Sequence, residues 1–144
     1  MSLDRPGRAL GLDLGSKRIG VAVSDDMRML ATPLAVIRRV GDRVVEHGEI
    51  NDHIAETGAT VLVVGMPYTL DGDEGATVRA FRSELKGLRK RITIPIETVD
   101  ERFTTVTAEA ELRAAGVSAK KQRGIVDAVA ASVLLQHWLD GGSG

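Results

Sequence analysis

Three acidic positions stand out from their neighbours: Asp13, Asp127 and the adjacent pair Asp100-Glu101. In a strand over 8–14, alternation puts Leu10, Leu12 and Leu14 on one face and Ala9, Gly11 and Asp13 on the other. Asp13 thus shares a face with small residues. A buried, isolated carboxylate is costly unless paired or metal-bound, so Asp13 reads as a metal ligand or as a strand-end residue capping the turn at Gly15. Asp127 has Ala130, Ala131 and Leu134 three, four and seven residues on, which places it on an apolar helix face. It is either a ligand or an early-helix acid held by the helix dipole and Arg123. Ala128, Ala130 and Ala131 would let this helix approach the small-residue face that carries Asp13. Asp100 and Glu101 point to opposite faces, so one at most enters a given site. Glu101 is preferred for its reach, with Asp100 in reserve and the other acid left to cap the helix beginning near Thr105. Carboxylates from three separate segments suit Mg²⁺ or Mn²⁺ rather than zinc. Two such ions about 4 Å apart can activate water and stabilise the leaving oxygen in phosphodiester cleavage.

The basic residues are clustered. Lys17 and Arg18 lie near Asp13, Arg38, Arg39 and Arg43 form a second group, and residues 79–91 hold six Arg or Lys against one Glu. A fourth group, Arg113, Lys120, Lys121 and Arg123, contains no acid. Each cluster alone reads as a solvated face. Beside an acidic metal site, Lys17, Arg18, Arg102 and Arg123 would instead position phosphates that carboxylates repel. His47, His53 and His137 lack the pairing of a zinc-protease helix and read as surface or helix residues. Asp25, Asp26, Asp71 and Asp73 read as turn formers.

The elements that must carry these groups follow from the apolar period. Strands are expected at 8–14, 18–24 and 31–37, the first two joined by Gly15-Ser16-Lys17. A helix with Val44, Val45, Ile50 and Ile54 on one side should end at Gly58. A strand at 60–67, a helix near 75–87, a strand at 92–99 and helices near 105–115 and 119–139 complete an α/β chain. Three meandering strands followed by βα units imply a mixed sheet flanked by helices. The 144 residues fit a single domain over 1–144, with untethered ends at 1–7 and 141–144. There is no cysteine, which excludes a disulfide framework and a thiol nucleophile. Only Tyr68, Phe81, Phe103 and Trp138 are aromatic, too few for serial base stacking. A net charge of −1 leaves nucleic-acid contact to local patches. No window nears the ~18 apolar residues of a membrane span and no signal peptide leads the chain, so a cytoplasmic protein without membrane contact is expected.

Gly15 to Gly20 has P-loop spacing, but Val21-Ala22 stands where Lys and Ser/Thr are required. GLDLGSKRIGVAV, 11–23, looks like the first phosphate segment of actin-like ATPases, whose individual lobes are as large as this chain. A fuller match comes from LGLDLGSKRIGVAVSD at 10–25, VVGMPYTLDGDEG at 63–75, VDERFTT at 99–105 and KQRGIVDAVAASVLLQHWL at 121–139. In these segments the chain resembles the YqgF/RuvX family of ribonuclease H-like nucleases along nearly its whole length. The resemblance implies a ribonuclease H-like fold with five strands in the order 3-2-1-4-5 and a divalent-metal nuclease. By position it assigns the acidic roles to Asp13, Glu101 or Asp100, and Asp127. It further implies 5′-end processing of precursor 16S ribosomal RNA, with Holliday junctions as the alternative substrate; symmetric junction cleavage would need a homodimer. Resolvases of the RuvC type add a fourth acid one helical turn from the last; here Arg123, Gly124, Ala130 and Ala131 hold those positions. A non-catalytic nucleic-acid-binding module is the reading from another class.

Overall fold

The computed structural model describes residues 5–67, 76–100 and 119–142, with side chains at 5–67, 77–100 and 126–141. Five strands, β1 (Ala9–Leu14), β2 (Arg18–Ser24), β3 (Ala31–Arg38), β4 (Val61–Met66) and β5 (Ile96–Asp100), form one sheet in the order β3-β2-β1-β4-β5. This is the order the family resemblance implied. The β1–β2 and β2–β3 pairs are antiparallel, whereas β1–β4 and β4–β5 are parallel. The C-terminal ends of β1, β4 and β5 consequently lie side by side on one edge.

Helices α1 (Arg43–Thr57) and α2 (Ala76–Arg91) cover one face, where Leu10, Leu12, Leu62 and Val64 meet Ile50, Ile54, Phe81 and Leu88. Helix α3 (Ala119–His137), closed by a π-type turn over Trp138–Gly142, covers the other. Its Ala131, Leu134, Leu135 and Trp138 pack on Ala9, Ala22, Val61 and Val63. That spacing of three, four and seven is one helical stripe. No helix of the described residues is long and apolar enough to cross a membrane.

Local chemistry sets the boundaries. The Asp42 carboxylate accepts from the N–H groups of Val44 and Val45 at the start of α1, and Gly58 ends the helix in the left-handed region at φ 71°. The expected inner face of α1 is corrected, since Val44 and Val45 are 61% and 49% exposed. Glu46 and His47 turn inward with Ile50 and Ile54 instead. β5 begins at Ile96 rather than at 92, because α2 runs on to Arg91 and Pro95 has no N–H to give a ladder. Ile92 still enters the core, and the Pro95 carbonyl accepts from Leu62 N–H. Of the leading residues, Gly7 donates to the Asp26 carbonyl, Arg5 pairs with Asp26 at 2.6 Å, and Arg28 Nε donates to the Gly7 carbonyl. Asp25 is a turn former as expected, its carboxylate accepting from Met29 and Leu30 N–H. The helix expected near 105–115 lies outside the described residues.

Candidate active site

Asp13 lies at the C-terminal end of β1, opposite Gly20 of β2. Residues paired in this way have Cα atoms only about 4.5–5.5 Å apart. On the other side of Gly20 lies α3: a Cβ added at Gly20 would fall 1.8 Å from the Asp127 carbonyl oxygen. Gly11 repeats the arrangement one step along, where an added Cβ would stand 2.9 Å from Leu135 Cβ and 3.2 Å from the Ala131 carbonyl. The small-residue face of β1 and β2 therefore receives α3 almost main chain to main chain, as the alanines of that helix predicted. Ala131 is on this contact, whereas Ala130 packs with Val129 in a separate cluster. The packing brings residues far apart in sequence to one place. Asp13 and Asp127 line a single cleft of about 550 Å³, whose walls include Gly15, Arg39, Phe81 and Glu84.

Asp127 Oδ2 accepts from Arg18 Nε at 2.7 Å, with the two side chains 21% and 41% exposed. Arg18, expected to hold phosphate, thus supplies the cation for Asp127 among the described residues. Lys17 is exposed beside it at the hairpin. Glu101, Arg102 and the side chain of Arg123 lie outside the described residues. Asp100 pairs with Met66, which packs on the α1–α2 side, whereas Val99 packs with α3 and Glu97 accepts from Trp138 Nε1. Asp100 therefore sits on the face opposite Asp13, two strand spacings or roughly 10 Å away. Among the described residues no group of three His, Cys, Asp or Glu forms a metal cluster.

The cleft wall holds groups that apolar periodicity does not reveal. Arg39, expected as part of a solvated basic face, has a side chain only 16% exposed, which corrects that reading. Its Nη1 donates to Glu46 Oε1 at 2.9 Å and to Glu84 Oε2 at 2.9 Å, and its Nη2 donates to Glu84 Oε1 at 2.8 Å. Glu46 Oε2 also accepts from Val40 and Gly41 N–H. His47 lies in α1, as one of its two expected readings had it, but is fully buried, which corrects the surface alternative; its Nε2 lies 3.0 Å from Glu84 Oε2 and its Nδ1 3.0 Å from Arg91 Nη1. The available signal was phase: Glu46 stands four and eight residues before Ile50 and Ile54, and Glu84 midway between Phe81 and Leu88. Both are charged residues at core spacing.

Burial pushes the Glu84 carboxyl up, but the Arg39 fork and His47 outweigh it and hold Glu84 below its ordinary value. Burial likewise raises Glu46, and the Val40 N–H, Arg39 and the Gly41 N–H together bring it below. Burial lowers Arg39, while Glu84 and Glu46 more than restore it, leaving it raised and charged. Both acids are thus weaker proton acceptors in the folded state than in the unfolded chain, where a glutamate titrates near about 4.3. Their stabilisation is complete above that value and is lost as pH falls through it toward the lowered folded values. Urea midpoints measured from roughly pH 6 to pH 3 should fall at the acid end, and Glu84→Gln should flatten that fall. An unchanged slope in the variant would exclude Glu84 as a source.

A family model described as RuvX, Holliday junction resolvase, matches residues 7–141. The chain belongs to the RuvX family. Over 134 residues it is 45% identical to a protein of Anaeromyxobacter sp. (strain Fw109-5) named "Putative pre-16S rRNA nuclease", covering 93% of this chain and 97% of that one. A protein of Mycobacterium leprae (strain Br4923) bearing the same name is 44% identical over 136 residues, covering 93% and 73%. Among solved structures, T. thermophilus RuvC in complex with Holliday junction substrate superposes with a TM-score of 0.55 at 15% identity, covering 92% of this chain and 93% of that chain. At that identity the likeness establishes the fold, which for this RuvX chain is ribonuclease H-like.

Proposed function

We propose that this RuvX protein is a divalent-metal-dependent endonuclease that hydrolyses phosphodiester bonds in the 5′ flank of precursor 16S rRNA. The observation that carries the reading is the meeting of Asp13 and Asp127 in one cleft, at a packing contact with no room for an intervening side chain. The substrate rests on the names of the relatives, and cytoplasmic action follows from that substrate.

The acids fit a hard divalent ion. They offer oxygen donors only, and the guanidinium already on Asp127 marks a position complementary to positive charge. Asp13 and Asp127 would hold Mg²⁺ or Mn²⁺, with Glu101 as the third acid. Glu97 and Val99 share the face of Asp13, and Glu101 is the next position in their alternation, which favours it over Asp100. A bound ion supplies Lewis acidity at the phosphate and a more acidic water. The chain supplies the rest: Lys17, exposed one residue beyond the cleft-lining Ser16, binds the phosphate, Arg18 is shared between Asp127 and that phosphate, and Arg102 and Arg123 hold the flanking backbone. In the net reaction water forms one bond to phosphorus as one ester P–O bond breaks, leaving a phosphomonoester end and a hydroxyl end.

The test is cleavage of precursor 16S rRNA and of a four-way DNA junction, each with Mg²⁺ and with Mn²⁺. Site-specific cutting of the RNA in its 5′ flank is the expected result. Preferential, symmetric cutting of the junction by a dimer would replace this reading with the one in the family's description. Binding without cutting of either substrate would make the chain a non-catalytic module.

A further inference from the structure

We propose that Arg39 is a positioning residue for cleavage, clamping the β1–β2 hairpin to α1 and α2 so that Asp13 keeps its direction into the cleft. Arg39 Nε donates to the Gly15 carbonyl at 2.8 Å, and the Arg39 N–H donates to the Lys17 carbonyl at 3.0 Å. The hairpin is therefore gripped at two carbonyls by one residue. Gly15 is two residues beyond Asp13, and its own N–H donates to the Asp13 carbonyl at 3.1 Å, so the clamp closes on the turn that carries the acid. The far end of the guanidinium is fixed as firmly, by Glu46 of α1 and the bidentate Glu84 of α2.

A guanidinium has five N–H donors in a planar fork, and the contacts to Gly15, Glu46 and Glu84 occupy four of them. Little is left for a phosphate. Arg39 lines the cleft but is built into its wall, unlike Lys17, which is exposed. The wall has its own brace. Arg91 can only donate, so His47 Nδ1 accepts from it, and His47 Nε2 then carries the proton and donates to Glu84. Burying these charges brings a desolvation cost that apolar side chains would avoid, and what the ions add is a fixed geometry. That geometry is delivered at Gly15.

The role rests on the nuclease reading of Asp13, but the clamp can be read without any substrate. Arg39→Lys keeps the charge and loses the fork, since one ammonium cannot span Gly15, Glu46 and Glu84. Two results are expected together: faster amide hydrogen exchange confined to the hairpin around Gly15–Arg18, and a kcat lower by about 10–100-fold with KM and the salt slope of substrate binding unchanged. Should Arg39→Lys not fold, Glu84→Gln preserves the shape and loosens the fork, with the same pattern at smaller size. A raised KM with a reduced salt slope and unchanged kcat would make Arg39 a phosphate contact and overturn the proposal. So would unchanged exchange at the hairpin, or faster exchange with kcat intact. If the wild type cuts nothing, the nuclease reading fails, while exchange still decides whether the clamp exists.

Discussion

Asp13→Asn is expected to lower cleavage by about 10³-fold while leaving fold and substrate affinity near those of the wild type. On the proposed reading, removing a carboxylate that would hold the ion forfeits transition-state charge stabilisation of several kcal/mol; about 4 kcal/mol corresponds to roughly 10³ in rate. Asparagine matches the shape of aspartate, and Asp13 is only half-buried opposite a glycine, so the substitution adds no bulk. Affinity for nucleic acid would on that reading come from the basic residues and should hold or rise slightly as one repelling charge is removed. Single-turnover cleavage at saturating enzyme, with binding measured separately, distinguishes the two effects. Asp127→Asn should behave alike in rate but also release Arg18 from its ion pair. Wild-type rates in both variants would remove these acids from the mechanism.

Gly20→Ala has the largest expected effect on stability. Its Cβ would lie 1.8 Å from the Asp127 carbonyl oxygen, 2.3 Å from that carbonyl carbon and 3.0 Å from Ala128 N, all main-chain atoms that cannot rotate away. Sheet and helix must separate by more than ~1 Å, at a cost of about 3 kcal/mol or more. The same shift carries Asp127 away from Asp13, so cleavage should fall even under conditions where the variant is folded. Gly48→Ala is the control. Nothing lies within 4 Å of its added Cβ, and in the middle of α1 alanine should stabilise by about 0.5–1 kcal/mol. Urea unfolding of the two variants should therefore move in opposite directions; equal and small shifts would mean that α3 is free to retreat.

The features legible in the sequence were those set by local rules. Alternation alone separated Leu10 and Leu12 from Ala9, Gly11 and Asp13, and it told which strand faces take bulky side chains and which take a close helix. Helical spacing placed Asp127 one turn before the stripe that packs on that small-residue face. Apolar counting failed on α1, where Val44 and Val45 look like core residues while Glu46 and His47 are the buried ones. What lets Glu46 turn inward is Arg39, the residue that follows β3, together with a second acid from α2; the phase of Glu46 and Glu84 marks them for burial, but the pairing that compensates it joins three segments and cannot be read within any one of them. The start of β5 was misplaced for a simpler reason, because the apolar residues Ile92 and Ile94 fill the core without joining the ladder. The face that Asp100 serves became readable only through the register of β4 and β5, while Glu101 lies outside the described residues.

The ion pair between Arg18 and Asp127 bears on how the protein is made and kept. Small zinc domains are unfolded until their ligands meet the metal, because nothing else reconciles the charges brought together. Here the chain brings its own counterion to the acid on α3, and the contact that holds α3 on the sheet is between main chains and apolar side chains. Folding and ion loading are on this account separate events. A cell short of the ion would hold a stock of intact, idle protein that regains activity upon resupply, without new synthesis or refolding.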